Sequence, residues 1–297
     1  MIRILLFLII LACSQASFAQ PDVFGVARQA APVLNSPDFG SVFGGKDRLS
    51  IKSDRCGQVR ELEYIALPGT LFRILEEQQR GAAMIYRVET AEYPAPAGIR
   101  LYVDSRFLEL QSAVPPSRTV TLPAREQVVA TLKKSLGSSY VWGGNLQGGV
   151  PQLAEWFYGN ISPAERERLT LSGLDCSGLL YQATGGWTPR NTSQLVAYGR
   201  AVNVAGRKSD QIMPMLEPLD LIVWNGHVVI VLDRHTAIES RLACGKPGNG
   251  GVVATPLAER LREIMRTRRP ADVWPGGSRS KDLFVVRRWY GFQSLWP

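Results

Sequence analysis

The sequence predicts an α+β protein in two parts: a small all-β domain over residues 20–112, a linker at 113–123, and a mixed α+β domain over 124–297. Three observations predict it. Residues 21–112 carry short runs rich in β-branched and aromatic residues, separated by turn residues. In "AREQVVATLKKSLG", Val128, Leu132 and Leu136 recur every fourth position and give a helix one apolar face. Beyond residue 219, apolar runs of strand length recur, with one helical stretch before the last. The composition, 45% apolar and 20% charged, is an ordinary globular mix and excludes a disordered or coiled chain.

The elements follow in order. "MIRILLFLIILACSQASFAQ" has one basic residue, Arg3, then an apolar run from Ile4 to Ala12 too short to span a bilayer. Ser17 and Ala19 stand at the −3 and −1 positions of an export cleavage site, so residues 1–19 read as a signal peptide. "ILAC", ending at Cys13, offers a second export reading, a lipid-attachment box. No later segment is apolar enough to span a membrane. Strands are expected at 70–77, 83–90 and 99–110, with turns at Pro32, Pro37, Gly44–Gly45, Pro68–Gly69 and Pro94–Pro96. The linker ends in Pro123, a good first residue for the helix that follows, and Gly137 stops that helix. A second helix is expected near 177–184. Strands follow at 219–224, 227–233, 236–240, 251–256 and 283–290, with a helix over 256–267.

The net charge is +8, or +7 once Arg3 is removed with the signal. Such a balance suits an acidic partner, but export argues against nucleic acid, and no basic stripe interleaves with aromatics. Cys56, Cys176 and Cys244 remain after Cys13 is lost. An odd number leaves one thiol free if the other two pair, and the sequence does not decide whether Cys56 and Cys244 do.

"GLDCSGLLYQ" places Cys176 where a helix begins, with Asp175 or Cys176 near the N-cap. The positive end of the helix dipole there favours a thiolate, whereas a small apolar cysteine in a core is the plainer alternative. The chain has two histidines. His227 opens an apolar strand directly after "WNG", where an imidazole is held rigidly and still faces a cleft. His235, in "LDRHT", falls at a hairpin tip. His227 is therefore the candidate base. If 227–233 and 236–240 form a hairpin, Glu239 returns beside the start of the first strand and can orient the imidazole. Glu239 as a solvent-facing strand residue fits the pattern equally well. Two histidines, one in a turn, leave little from which to build a zinc site.

"LDCSGLLYQ", "TPRNTSQLVAYGRAV" (188–202), "LEPLDLIVW" (216–224) and "HVVIVLDRHTAIES" (227–240) together resemble the NlpC family of cell-wall cysteine peptidases over about residues 124–240. The resemblance implies a papain-like fold and cleavage of γ-D-glutamyl–diamino acid bonds, such as those to meso-diaminopimelate, in peptidoglycan stem peptides, without metal or cofactor. It matches Cys176 to the nucleophile and His227 to the base. The third position, His, Asn or Gln in the family, is Glu239 here. Tyr140 matches a tyrosine close to the catalytic cysteine, Asp175 and Ser177 match positions that hold a substrate's free amine, and Arg190 matches a structural ion-pair residue. The strand order of residues 20–112 is similar to the SH3-like domains of bacterial wall enzymes. The segment between Tyr140 and Cys176 is longer than the family needs; its "GGVPQLAEWFYGNISPAERERLTLSG" reads either as a surface helical hairpin or as a cleft wall. An exported protein of the periplasm or cell envelope is implied. Acyl transfer and non-catalytic wall binding are the two other readings of the same residues.

Overall fold

The computed structural model describes residues 23–246 and 250–291. The expected signal peptide and Cys13 lie outside them. The N-terminal half is built on a seven-stranded antiparallel sheet: β1 (Val23–Ala27), β2 (Ala31–Leu34), β3 (Leu62–Ala66), β4 (Leu71–Arg80), β5 (Ala83–Glu89), β6 (Leu101–Asp104) and β7 (Leu108–Gln111). Their order in the sheet is β3-β2-β6-β5-β4-β1-β7. The run at 99–110, expected as one strand, is two. Asp104 accepts the Arg106 N–H and pairs with its guanidinium at 2.7 Å, and this cap folds Ser105–Phe107 into a 3₁₀ turn.

The C-terminal half holds α1 (Arg125–Lys134), α2 (Gln152–Phe157), α3 (Pro163–Leu169), α4 (Cys176–Ala183) and α5 (Leu257–Met265). Its sheet contains β8 (Arg200–Val202), β9 (Leu221–Trp224), β10 (His227–Val231), β11 (Thr236–Leu242), β12 (Gly250–Pro256), β13 (Arg269–Ala271) and β14 (Leu283–Arg288). The order is β8-β14-β9-β10-β11-β12, antiparallel throughout, with β13 parallel beside β14. The chain is thus α+β with antiparallel sheets.

The near-continuous apolar run of β10 is explained by burial on both faces, because successive side chains point to opposite sides. Val228 and Ile230 pack with Leu179 and Leu180 of α4 and Val128 and Leu132 of α1. Val229 and Val231 pack on the other side with Leu257, Leu261 and Ile264 of α5. The sheet therefore lies between two helical layers.

The long segment before Cys176, expected as a surface helical hairpin or a cleft wall, packs on the N-terminal sheet. Val150, Leu153, Tyr158, Leu169 and Leu171 join the core of the N-terminal sheet. The Trp156 ring meets Phe107 at 4.6 Å, the Phe157 ring meets Phe43 at 5.4 Å, and the Arg106 guanidinium lies over both Trp156 and Phe157. Helices α2 and α3 are a buttress of the N-terminal half.

Three further connections fasten the halves. Asn145, fully buried, uses its side-chain amide as a strand would, accepting the Ile65 N–H at 2.9 Å and donating to the Ile65 carbonyl at 2.8 Å. Arg118 of the linker pairs with Glu92 at 2.7 Å and donates to the Gly185 carbonyl at 3.0 Å. Cys56 and Cys244, 188 residues apart, form a disulfide, which leaves Cys176 as the free thiol among the described residues. Cross-linking so long a loop restricts the unfolded chain strongly. Cys244→Ser is expected to destabilise the protein by about 2–5 kcal/mol, read as a lower urea midpoint.

Candidate active site

The site is assembled where α4 begins. The Asp175 carboxylate caps the helix, accepting the Gly178 N–H at 2.6 Å. Cys176 is consequently the first helical residue, with its own N–H free of any intrahelical acceptor. The helix comes so close to the preceding chain that a Cβ on Gly178 would overlap the Gly144 carbonyl. Glycine is required there to seat the thiol.

Asp175 is itself held by Arg190, which is 1% exposed. Arg190 Nη1 and Nη2 donate to the two Asp175 oxygens at 3.0 and 2.6 Å, Nη1 also to Ser177 Oγ at 2.9 Å, and Nε to Asn145 Oδ1 at 3.2 Å. Ser177 Oγ donates in turn to Asp175 Oδ1 at 3.2 Å. Oδ1 thus has three internal donors, while Oδ2 has the one from Arg190. Tyr140 packs beside this group, 8% exposed. Its hydroxyl is pushed well above the ordinary phenol range by burial first, then by the charges of Asp175 and Cys176. Gln58 fixes the Tyr140 segment from the N-terminal half, accepting the Trp142 N–H at 2.8 Å.

His227 is supplied by the sheet. A two-residue turn, Asn225–Gly226, joins β9 to β10, with Trp224 paired to His227 and Gly226 at φ +100°. The Gly226 N–H donates to Thr192 Oγ1 at 2.9 Å, and the Cys176 thiol lies 3.9 Å from the Gly226 carbonyl. The pairing of Ile230 with Ile238 puts Glu239 diagonal to His227 on the same face. His227 Nε2 lies 2.6 Å from Glu239 Oε2. Burial would lower the His227 pKa, but hydrogen bonds to Cys176 and Glu239 and their charges prevail and raise it to about 9. Burial would likewise raise the Glu239 carboxyl; His227 and Arg260 instead hold it below its ordinary value.

The structure brings together Cys176, His227, Glu239, Tyr140, Asp175 and Ser177. His235 lies elsewhere, exposed in the bend between β10 and β11. Sequence reasoning misses three contributors. Gln58 and Asn145 work across 84 and 80 residues of chain and leave no local signal. Arg260 has a signal, for it interrupts the apolar stripe Leu257, Leu261, Ile264 of α5. Among the described residues, no group of three or more His, Cys, Asp or Glu side chains could hold a metal ion. No described helix is long and apolar enough to cross a membrane.

No family model matches the chain, and no curated protein matches it. Among solved structures, it is similar to an NlpC/P60 family protein from Bacillus cereus, at 17% identity and TM-score 0.33, covering 91% of this chain and 64% of that one. It thus spans less than two thirds of that protein. The P60 domain of an antigen from M. avium subspecies paratuberculosis is 20% identical, with TM-score 0.31, covering 55% of this chain and 93% of the domain. RipD from Mycobacterium tuberculosis, a non-catalytic NlpC/p60 domain protein adapted to peptidoglycan binding, is 19% identical, with TM-score 0.30, covering 44% and 86%. Likenesses at this level leave the chemistry to be read from the site.

Proposed function

We propose that the chain is a cysteine peptidase of peptidoglycan stem peptides, cleaving the bond between γ-D-glutamyl and meso-diaminopimelate. One observation carries this reading: a free thiol at the first position of a helix is hydrogen-bonded to an imidazole whose Nε2 is 2.6 Å from a buried carboxylate. The papain-like fold of the C-terminal half, the SH3-like reading of the N-terminal sheet and export to the cell envelope belong to the same proposal.

The Cys176 thiolate attacks the amide carbonyl, and the Cys176 N–H at the helix start faces the developing oxyanion. Imidazolium His227 protonates the leaving amine, and Glu239 orients the ring through Nε2. The high His227 pKa rests partly on the negative charge of Cys176. Acylation removes that charge, so His227 becomes a competent base for the water that releases the acyl group. Tyr140, Asp175 and Ser177 form the substrate-binding group. Asp175 Oδ2, with one internal donor, keeps a lone pair for the peptide's free amine.

Mass spectrometry of products tests the proposal on two substrates: L-Ala-γ-D-Glu-meso-diaminopimelate, and the same peptide attached to muramic acid. The expected result is release of L-Ala-D-Glu from the free peptide, lost in Cys176→Ala. Cleavage of the muramic form as well would show a cleft that does not require the free amine. A folded chain that cuts neither overturns the peptidase reading in favour of acyl transfer or wall binding.

A further inference from the structure

Helix α5 presents Leu257, Arg260, Leu261 and Ile264 to the sheet at positions i, i+3, i+4 and i+7, so a guanidinium occupies a core-facing position, 9% exposed. A buried cation persists where its donors are met. Arg260 Nε donates to Glu239 Oε1 at 2.6 Å and Nη2 to Glu239 Oε2 at 2.8 Å, while Nη1 lies 2.8 Å from Glu263 Oε2. Glu239 is fully buried, so this two-point grip fixes the plane of its carboxylate and leaves Oε2 directed at His227.

The charges form a row. Imidazolium His227 on β10, carboxylate Glu239 on β11 and guanidinium Arg260 on α5 follow one another, with the Cys176 side chain of α4 beyond His227. Around them, Arg241 of β11 lies 3.7 Å from Glu239 Oε1 and is one-third exposed, and Glu263 is half exposed behind Arg260. The Trp224 ring of β9 stands 5.1 Å from His227 with Arg268 stacked beyond it, and the Asp175–Arg190 pair beside Cys176 is neutral.

We propose that Arg260 is a positioning residue for the reaction: it aims Glu239 at His227 and cancels its charge, so that the pair acts as one electrically neutral hydrogen-bond acceptor. This rests on the acyl-enzyme reading above. Removing the cation alone disfavours the less protonated states, so thiolate formation at Cys176 and proton loss from His227 both move to higher pH. Removing the carboxylate charge alone, with Glu239→Gln, moves both to lower pH. Removing both charges returns them.

The test is the pH dependence of Cys176 alkylation by iodoacetamide, followed on the Cys176 peptide by mass spectrometry, which needs no substrate. At pH values below the wild-type midpoint, Arg260→Met is expected to alkylate roughly three- to tenfold more slowly. Glu239→Gln shifts in the opposite direction, and the double variant Glu239→Gln/Arg260→Met returns to within about twofold of wild type. Arg260→Lys, which keeps the charge, keeps the midpoint. A wild-type profile in Arg260→Met overturns the proposal. If that variant does not fold, the double variant decides, because a profile coinciding with Glu239→Gln alone overturns it equally. The result is independent of the product assay. Compensating shifts in a chain that cuts neither peptide would refute the peptidase and retain the charge-balancing role of Arg260.

Discussion

Replacing His227 by alanine lowers hydrolysis of the free stem peptide by about 10²- to 10⁴-fold at neutral pH, the contribution of one positioned acid–base group. The pH profile identifies the loss as chemical. Acylation needs imidazolium, and His227 titrates at about 9 in the folded chain. Wild-type kcat/KM should therefore fall as pH rises through about 9, and this descending limb should vanish in His227→Ala. The same shift links stability to pH. A pKa raised from 6.5 to about 9 gives stabilisation that is complete below 6.5 and lost as pH rises through 9. Urea unfolding of wild type and His227→Ala at pH 6 and about pH 10 reads this, with the two curves closer at the higher pH. A wild-type limb that survives in the variant assigns the ionisation to another group.

The largest loss of stability is expected on the other side of the thiol. Arg190→Met leaves Asp175 buried with neither guanidinium bond, and breaking a buried pair from one side costs about 3–5 kcal/mol. Asn145 Oδ1 and Ser177 Oγ lose a donor in the same change. The urea midpoint of Arg190→Met should fall accordingly, with the m-value retained. Arg190→Lys should recover part of the loss, because an ammonium cannot span both Asp175 oxygens. Loss of activity at temperatures where Arg190→Met is still folded would show that the pair also sets the direction in which Asp175 presents Cys176. An unfolding free energy within about 0.5 kcal/mol of wild type would show that the pair is not a structural support.

What was legible in the sequence was what local pattern encodes. Cys176 and His227 stand at element boundaries, the first helical residue and the first strand residue, and boundaries leave traces in neighbouring small and polar residues. Glu239 could be placed by counting through a short hairpin, since the turn limits where the second strand can lie. Arg260 could be singled out from Arg262 and Arg266 by its place in the Leu257, Leu261, Ile264 stripe of α5, but its partner could not, since Glu239 lies on another element. The Cys56–Cys244 bond, the Asn145 amide on Ile65 and the docking of Trp156 on Phe107 all join distant parts of the chain. Nothing near either partner announces them. The split of 99–110 into two strands turned on a single side chain, Asp104, capping a turn where the residue pattern alone favours continuation.

The segment behind α2 and α3 leaves the C-terminal half at Asn145–Leu146 and re-enters it at Gly173–Leu174, and these two stretches are hydrogen-bonded to each other as an antiparallel pair. Entrance and exit are therefore adjacent backbone positions, and everything between is a cassette on a closed doorway. Its length is free to change without displacing the helix that carries Cys176. Its content is not free, because losing Trp156 or Phe157 would strip the cover from Phe107 and Phe43 and create a sticky face on the opposite half of the molecule. Changes in this cassette are thus answerable to a surface far along the chain, and the two halves are bound to vary together there.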